Sequence, residues 1–189
     1  MQNSKFFHPL LFVLLSLCAA CSFAADPGAG RQKAAACTAC HGVDGNSKNP
    51  AYPILAGQQA DYLVAQLAAF QNGVRKNPMM QGIVKALNKQ DMKDIAAFFS
   101  GVKPESAGGD VKLAGAGKSK FAMCSGCHGA DAKGRATFPR LAGQHPAYII
   151  KQLREFKAGV RKSGPMQAMT AGLSDQDMQA IAAYLATLD

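Results

Sequence analysis

Cys37-Thr38-Ala39-Cys40-His41 recurs 87 residues later as Cys124-Ser125-Gly126-Cys127-His128, and the architecture of the chain is read outward from this pair. Two thiols three positions apart, followed directly by histidine, have the spacing of covalent haem attachment. The thiols become thioethers on one porphyrin, and the adjacent imidazole faces the iron as its proximal ligand. Cys37, Cys40, Cys124 and Cys127 are therefore read as attachment points for two haem c groups, with His41 and His128 as axial ligands. A C-x-x-C pair alone also fits a thioredoxin-like thiol site or half of a zinc site. The strand-helix-strand setting of the first is absent, and a zinc site made from both pairs would leave two histidines without a purpose.

The repeat extends well past these motifs. Gly28-Ala29-Gly30 precedes the first as Gly115-Ala116-Gly117 precedes the second, and beyond the motifs the offset falls from 87 to 86. Ala56-Gly57-Gln58 then matches Ala142-Gly143-Gln144, and Tyr62, Gln66, Leu67, Phe70 and Arg75 match Tyr148, Gln152, Leu153, Phe156 and Arg161. This is a duplicated domain, two units rather than a solenoid. Residues 25–103 and 111–189 form the units, and 104–110, with Pro104, Gly108 and Gly109, links them. A unit this small buries little surface alone, so an enclosed haem would supply much of its core.

Each unit reads as helical. A first helix (about 30–40 and 113–127) delivers the haem motif. Tyr62 to Phe70 follows helical spacing and ends near Gly73, and its counterpart starts at Pro146. The terminal helices open on Asn88-Lys89-Gln90-Asp91 and Ser174-Asp175-Gln176-Asp177, capping boxes with Asp in place of Glu or Gln. No strand alternation appears, so the expected class is all-α.

The first residues read as an export signal: Lys5, an apolar run from Leu10 to Leu17, then Ser22-Phe23-Ala24 as a cleavage site. Residues 1–24 are taken as a cleaved signal peptide in preference to a lipoprotein signal acylated at Cys21, which places the mature chain in the periplasm. Of six cysteines, Cys18 and Cys21 then leave with the signal, and the remaining four are those of the motifs. Only His41, His128 and His145 remain, too few for two bis-histidine irons. The chain carries a formal charge of +9, and each half is net +4. This suits an acidic partner surface, whereas basic runs interleaved with aromatics, the mark of nucleic-acid binding, are missing.

The second axial ligand is chosen by the repeat. Met80 falls on Met166, whereas Met79 falls on Pro165 and Met169 on Ile83. Met92 and Met178 also pair, but within the terminal helices, where a packing role is expected. Pro78 and Pro165 stand just before the paired methionines and are expected to keep the chain extended there, so that a loop presents Met80 and Met166 to the iron. The competing reading is an ordinary core methionine. His145 has no counterpart and is expected to be a surface histidine at a helix start.

With these features together the chain resembles the cytochrome c4 family, the dihaem members of the class I cytochromes c. The resemblance rests on both haem motifs, on His41-Gly42-Val43-Asp44 and His128-Gly129-Ala130-Asp131, on the P-x-L-A-G-Q blocks from Pro53 and Pro139, and on the methionine segments. It implies two tandem class I domains related by a pseudo-twofold axis, haem propionate edges meeting near their interface, and Pro53 and Pro139 accepting hydrogen bonds from the proximal histidines. Arg75 and Arg161 are candidates to pair with propionates, solvated surface being the alternative.

Histidine and methionine together saturate an iron and raise its potential relative to two histidines. The expected function is thus a periplasmic single-electron carrier, not an enzyme, between a membrane donor complex and a terminal oxidase or reductase. No small-molecule substrate is expected, and peripheral membrane association is compatible. The second reading is a haem subunit relaying electrons for a separate dehydrogenase, such as a sulfide-oxidising flavocytochrome. A self-contained peroxidase would need an iron that opens and acid-base groups beside it.

Overall fold

The computed structural model describes residues 24–189. The expected signal peptide, with Cys18 and Cys21, lies outside the described residues except for Ala24. All regular structure among the described residues is helical, save one isolated bridge between Arg135 and Phe138. None of these helices is long and apolar enough to cross a membrane.

In the first half, α1 (Pro27–Lys33), α2 (Ala35–His41), α3 (Ala60–Gln71), α4 (Pro78–Val84) and α5 (Lys89–Ser100) follow one another. The second half runs α6 (Val111–Phe121), a 3-10 turn at Ala122–Cys124, α7 (Ser125–His128), α8 (Pro146–Lys157), α9 (Gly164–Thr170) and α10 (Asp175–Ala186). The single first helix expected in each half is thus broken just before the cysteine motif. Asp26 and Asp110 cap α1 and α6, and both expected capping boxes form, Asn88 with Asp91 and Ser174 with Asp177.

Each half is built on one crossing, α1 over α5 and α6 over α10. The glycines of the repeat explain how close the helices come. A Cβ on Gly30 would lie 1.9 Å from the Asp94 carbonyl oxygen, and one on Gly117 would lie 1.9 Å from that of Ala180. Only glycine allows this backbone approach. Around the crossings lie Ile95, Phe98 and Phe99 in one core and Phe121, Ile181 and Leu185 in the other.

The methionine segments differ from expectation. Met80 and Met166 sit in the first turns of α4 and α9, not on extended loops. Proline disfavours helix for the residue before it, but its own fixed φ suits the first helical turn. Pro78 therefore opens α4, and Pro165 is the second residue of α9. Asn77 completes the first by accepting from the Met80 N–H at 3.1 Å.

A composite cavity between two matched halves

The two proximal-type histidines are held alike. His41 is 7% exposed and its Nδ1 donates to the Pro53 carbonyl at 2.9 Å; His128 is 6% exposed and donates to the Pro139 carbonyl at 3.0 Å. With the proton on Nδ1, each Nε2 keeps its lone pair. Burial pushes both imidazoles below their usual pKa, partly opposed by the proline carbonyls. Each side chain is thus a neutral, oriented nitrogen donor. The same burial pushes the Cys37 and Cys124 thiols up. An aromatic ring stands edge-on to each histidine, Tyr52 at 6.1 Å and Phe138 at 6.4 Å.

All four cysteines and both histidines open onto one cavity of about 850 Å³ shared by the two halves. Met80 and Met166 line it, and so do Met79, Met123 and Met169. Met92 and Met178 are instead 3% and 1% exposed in the packed interior, as their helix positions suggested.

Arg75 and Arg161 meet across the interface. Arg75 donates to Tyr148 Oη (3.0 Å) and Gln152 Oε1 (2.7 Å) of the other half and to Gln66 Oε1 (2.8 Å) of its own. Arg161 mirrors it, with Tyr62 Oη (2.8 Å), Gln66 Oε1 (2.8 Å) and Gln152 Oε1 (2.6 Å). Each guanidinium also lies over a phenyl ring of its own half, Phe70 or Phe156. Solvated surface is therefore ruled out for Arg161, which is buried, and for the half-buried Arg75. Neither is ion-paired among the described residues.

His145 also departs from expectation. It is 7% exposed, and its Nε2 donates to the Ser47 carbonyl of the other half at 2.9 Å. The helix start that was to expose it faces the partner domain. Beside it, Gln144 and its counterpart Gln58 each grip the opposite half by two backbone hydrogen bonds. Sequence reasoning recorded these glutamines, the tyrosines and Gln66 and Gln152 as repeated but gave them no role. Their repetition was the available signal; what it could not show is that they cross between halves.

The cavity suits a flat, apolar, anionic prosthetic group held at two thiols and one imidazole per half. Aromatic and aliphatic side chains form its walls. Arg140 lines it with a buried Nε that has no hydrogen-bond partner among the described residues, a cation on the cavity wall. Haem, with an apolar macrocycle and carboxylate edge, fits both features.

The cytochrome c family model matches residues 27–103 and again 114–189. Cytochrome c4 of Pseudomonas aeruginosa is 39% identical, over 93% of this chain and 94% of its own. A thiosulfate dehydrogenase electron acceptor of Stutzerimonas stutzeri is 35% identical, over 85% of this chain and 82% of its own. The crystal structure of reduced recombinant cytochrome c4 from Pseudomonas stutzeri superposes with a TM-score of 0.84 at 39% identity, covering 88% of this chain and 100% of that one.

Proposed function

The chain belongs to the cytochrome c family, as a dihaem cytochrome c4 with two covalent haem c groups, and from that premise we propose that it is a periplasmic carrier of single electrons between a membrane donor complex and a terminal oxidase or reductase. When bound, each haem supplies one-electron exchange between ferric and ferrous iron. Cys37 and Cys40 hold one group and Cys124 and Cys127 the other. His41 and His128 would ligate the irons through Nε2, and Met80 and Met166 would each supply a further ligand. Pro53 and Pro139 fix the imidazole rings and raise their basicity. Arg75 and Arg161, in no ion pair among the described residues, would answer the propionates from the interface.

The observation that carries this reading is the doubled arrangement itself: two buried histidines, each with its proton committed to a proline carbonyl, facing one cavity with one repeat-matched methionine per half. A saturated iron leaves no position for substrate, which agrees with an electron carrier rather than an enzyme.

Ligation is tested on the mature protein. Reduced native protein is expected to be low-spin and inert to carbon monoxide, while Met80→Ala and Met166→Ala each open one haem to it. A native protein that binds carbon monoxide at either haem overturns the ligand set. For partners, stopped-flow reoxidation by oxidases of the organism's own membranes should be fast and should slow with added salt, since each half is net +4.

A second reading, an electron-accepting subunit for a separate dehydrogenase, is favoured by the likeness to the thiosulfate dehydrogenase electron acceptor. Co-purification of a stoichiometric dehydrogenase that reduces this chain directly would select it.

A further inference from the structure

The peptide group that receives each proximal histidine is itself held by a side chain of the other half. In the peptide joining Pro53 to Ile54, the carbonyl accepts from His41 Nδ1 at 2.9 Å, and the N–H donates to Gln144 Oε1 at 2.8 Å. Gln144 Nε2 closes the clamp on the Ile54 carbonyl at 2.9 Å. In the peptide joining Pro139 to Arg140, the carbonyl accepts from His128 at 3.0 Å, and the N–H donates to Gln58 Oε1 at 2.7 Å. Gln58 Nε2 returns to the Arg140 carbonyl at 2.9 Å. Both glutamines are buried, at 6% and 5% exposure, and each amide oxygen also takes the next residue's N–H, which fixes its orientation.

An amide is one conjugated unit. Drawing on its N–H shifts charge toward its oxygen and makes the carbonyl a better acceptor. A better acceptor pulls harder on the histidine proton and makes Nε2 a stronger donor to a metal. Stronger donation favours ferric over ferrous iron. Low dielectric around the buried bonds prevents water from masking the effect.

We infer that Gln144 and Gln58 are positioning residues that act in trans: each tunes the proximal ligand of the haem in the opposite half, through one shared peptide group. The inference rests on the reading of His41 and His128 as iron ligands. It makes the domain interface part of both ligand environments, so that docking or opening of the halves would move both potentials.

The test is a haem-resolved redox titration of the full dihaem protein by NMR, with Gln144→Leu and Gln58→Leu. Gln144→Leu is expected to raise the electron affinity of the haem on Cys37 and Cys40 about threefold, or about 28 mV at 59 mV per tenfold. The haem on Cys124 and Cys127, in the half that carries Gln144, should not move. Gln58→Leu should show the reverse assignment. In the ferrous state the Nδ1–H resonance of the opposite histidine should move upfield in each variant.

Gln144→Glu, which keeps the acceptor oxygen and adds charge, should lower the affinity of the opposite haem and move the His41 resonance downfield. It serves alone should the leucine variants fail to assemble. A shift confined to the haem of the same half, equal shifts at both haems, or unmoved histidine resonances would overturn the inference. Failure of the ligand reading is distinguishable, because it shows in the unsubstituted protein as the loss of a low-spin spectrum. Failure of the clamp leaves that spectrum intact.

Discussion

The two halves share their crossings, capping boxes and histidine-proline bonds but differ at a few positions around the same frame. Asp94 of the first half stands where the second has Ala180; Ile54 stands opposite Arg140, Tyr52 opposite Phe138 and Gln59 opposite His145. What is common builds the domain and orients the ligands. What differs places charge or dipoles near one site and not the other. The comparison therefore separates residues that make a haem domain from residues that make two haems unequal.

The shared part should fail equally when broken. Gly30→Ala and Gly117→Ala each drive a methyl to within 1.9 Å of a backbone carbonyl across a helix crossing. Alanine gains about 1 kcal/mol in helix propensity, but overpacking at backbone costs about 3 kcal/mol or more, so the steric effect wins. Urea unfolding should show a similar net loss for both variants. A much smaller loss at Gly117 would mean that the second crossing yields where the first does not.

Asp94 breaks the symmetry next. It is 3% exposed and receives the Asp26 N–H at 2.9 Å, Lys33 Nζ at 2.8 Å and Gln90 Nε2 at 2.8 Å. The Asp26 N–H first, then Lys33, holds its pKa down at about 2. A carboxylate depressed from the ordinary ~3.9 stabilises fully above that value, and the contribution is lost as pH falls through 2. The second half keeps only the matched pair, Lys120 with Asp177, which corresponds to Lys33 with Asp91; in both the lysine holds the carboxylate below its usual range, so Asp94 is the first half's excess. Amide exchange resolved by half should show the first half losing more protection between pH 4 and 2. Asp94→Ala should abolish that excess and lower the thermal midpoint by several degrees.

These residues also show what the sequence can disclose. Attachment cysteines, capping boxes and the glycine pairs were legible because local chemistry or repetition marks them. His145 was misread because a histidine at a helix start looks solvated unless the surface across from it is known; here that surface is the other half, at Ser47. The methionine segments were misread because a proline both ends one conformation and begins another. Arg75, Arg161, Gln58 and Gln144 were visible as repeats, but their partners lie 73 to 99 residues away. Composition and spacing carry no such contacts.

Arg140 should weigh most on the difference between the haems. Its half-buried side chain, with Nε fully covered, lines the shared cavity where the first half offers Ile54, and a fixed positive charge disfavours the more positive ferric state. Arg140→Ile, which copies the first half, should lower the potential of the haem on Cys124 and Cys127 by about 59 mV, one decade for one electron. Haem-resolved titration reads it directly. An equal fall at both haems would assign the charge to the interface as a whole.

Tyr52 should act in the same sense at the first haem, but more weakly, because a dipole replaces a charge. The neighbouring Cys40 sulfur raises the pKa of its phenol, whereas Phe138 has no hydroxyl to offer. Once Cys40 is a thioether its sulfur can only accept, so the Tyr52 O–H turns its positive end toward the haem edge. Tyr52→Phe should then lower the electron affinity of that haem about twofold, or about 18 mV, and Phe138→Tyr should raise that of the other by a similar amount. Because Arg140 favours the second haem and Tyr52 the first, the charge should decide the order: the second haem reduces first in the native protein. Should the first haem reduce first, and Tyr52→Phe reverse that order, the hydroxyl would outrank the guanidinium, which requires Arg140 to be neutralised by a propionate at its Nε.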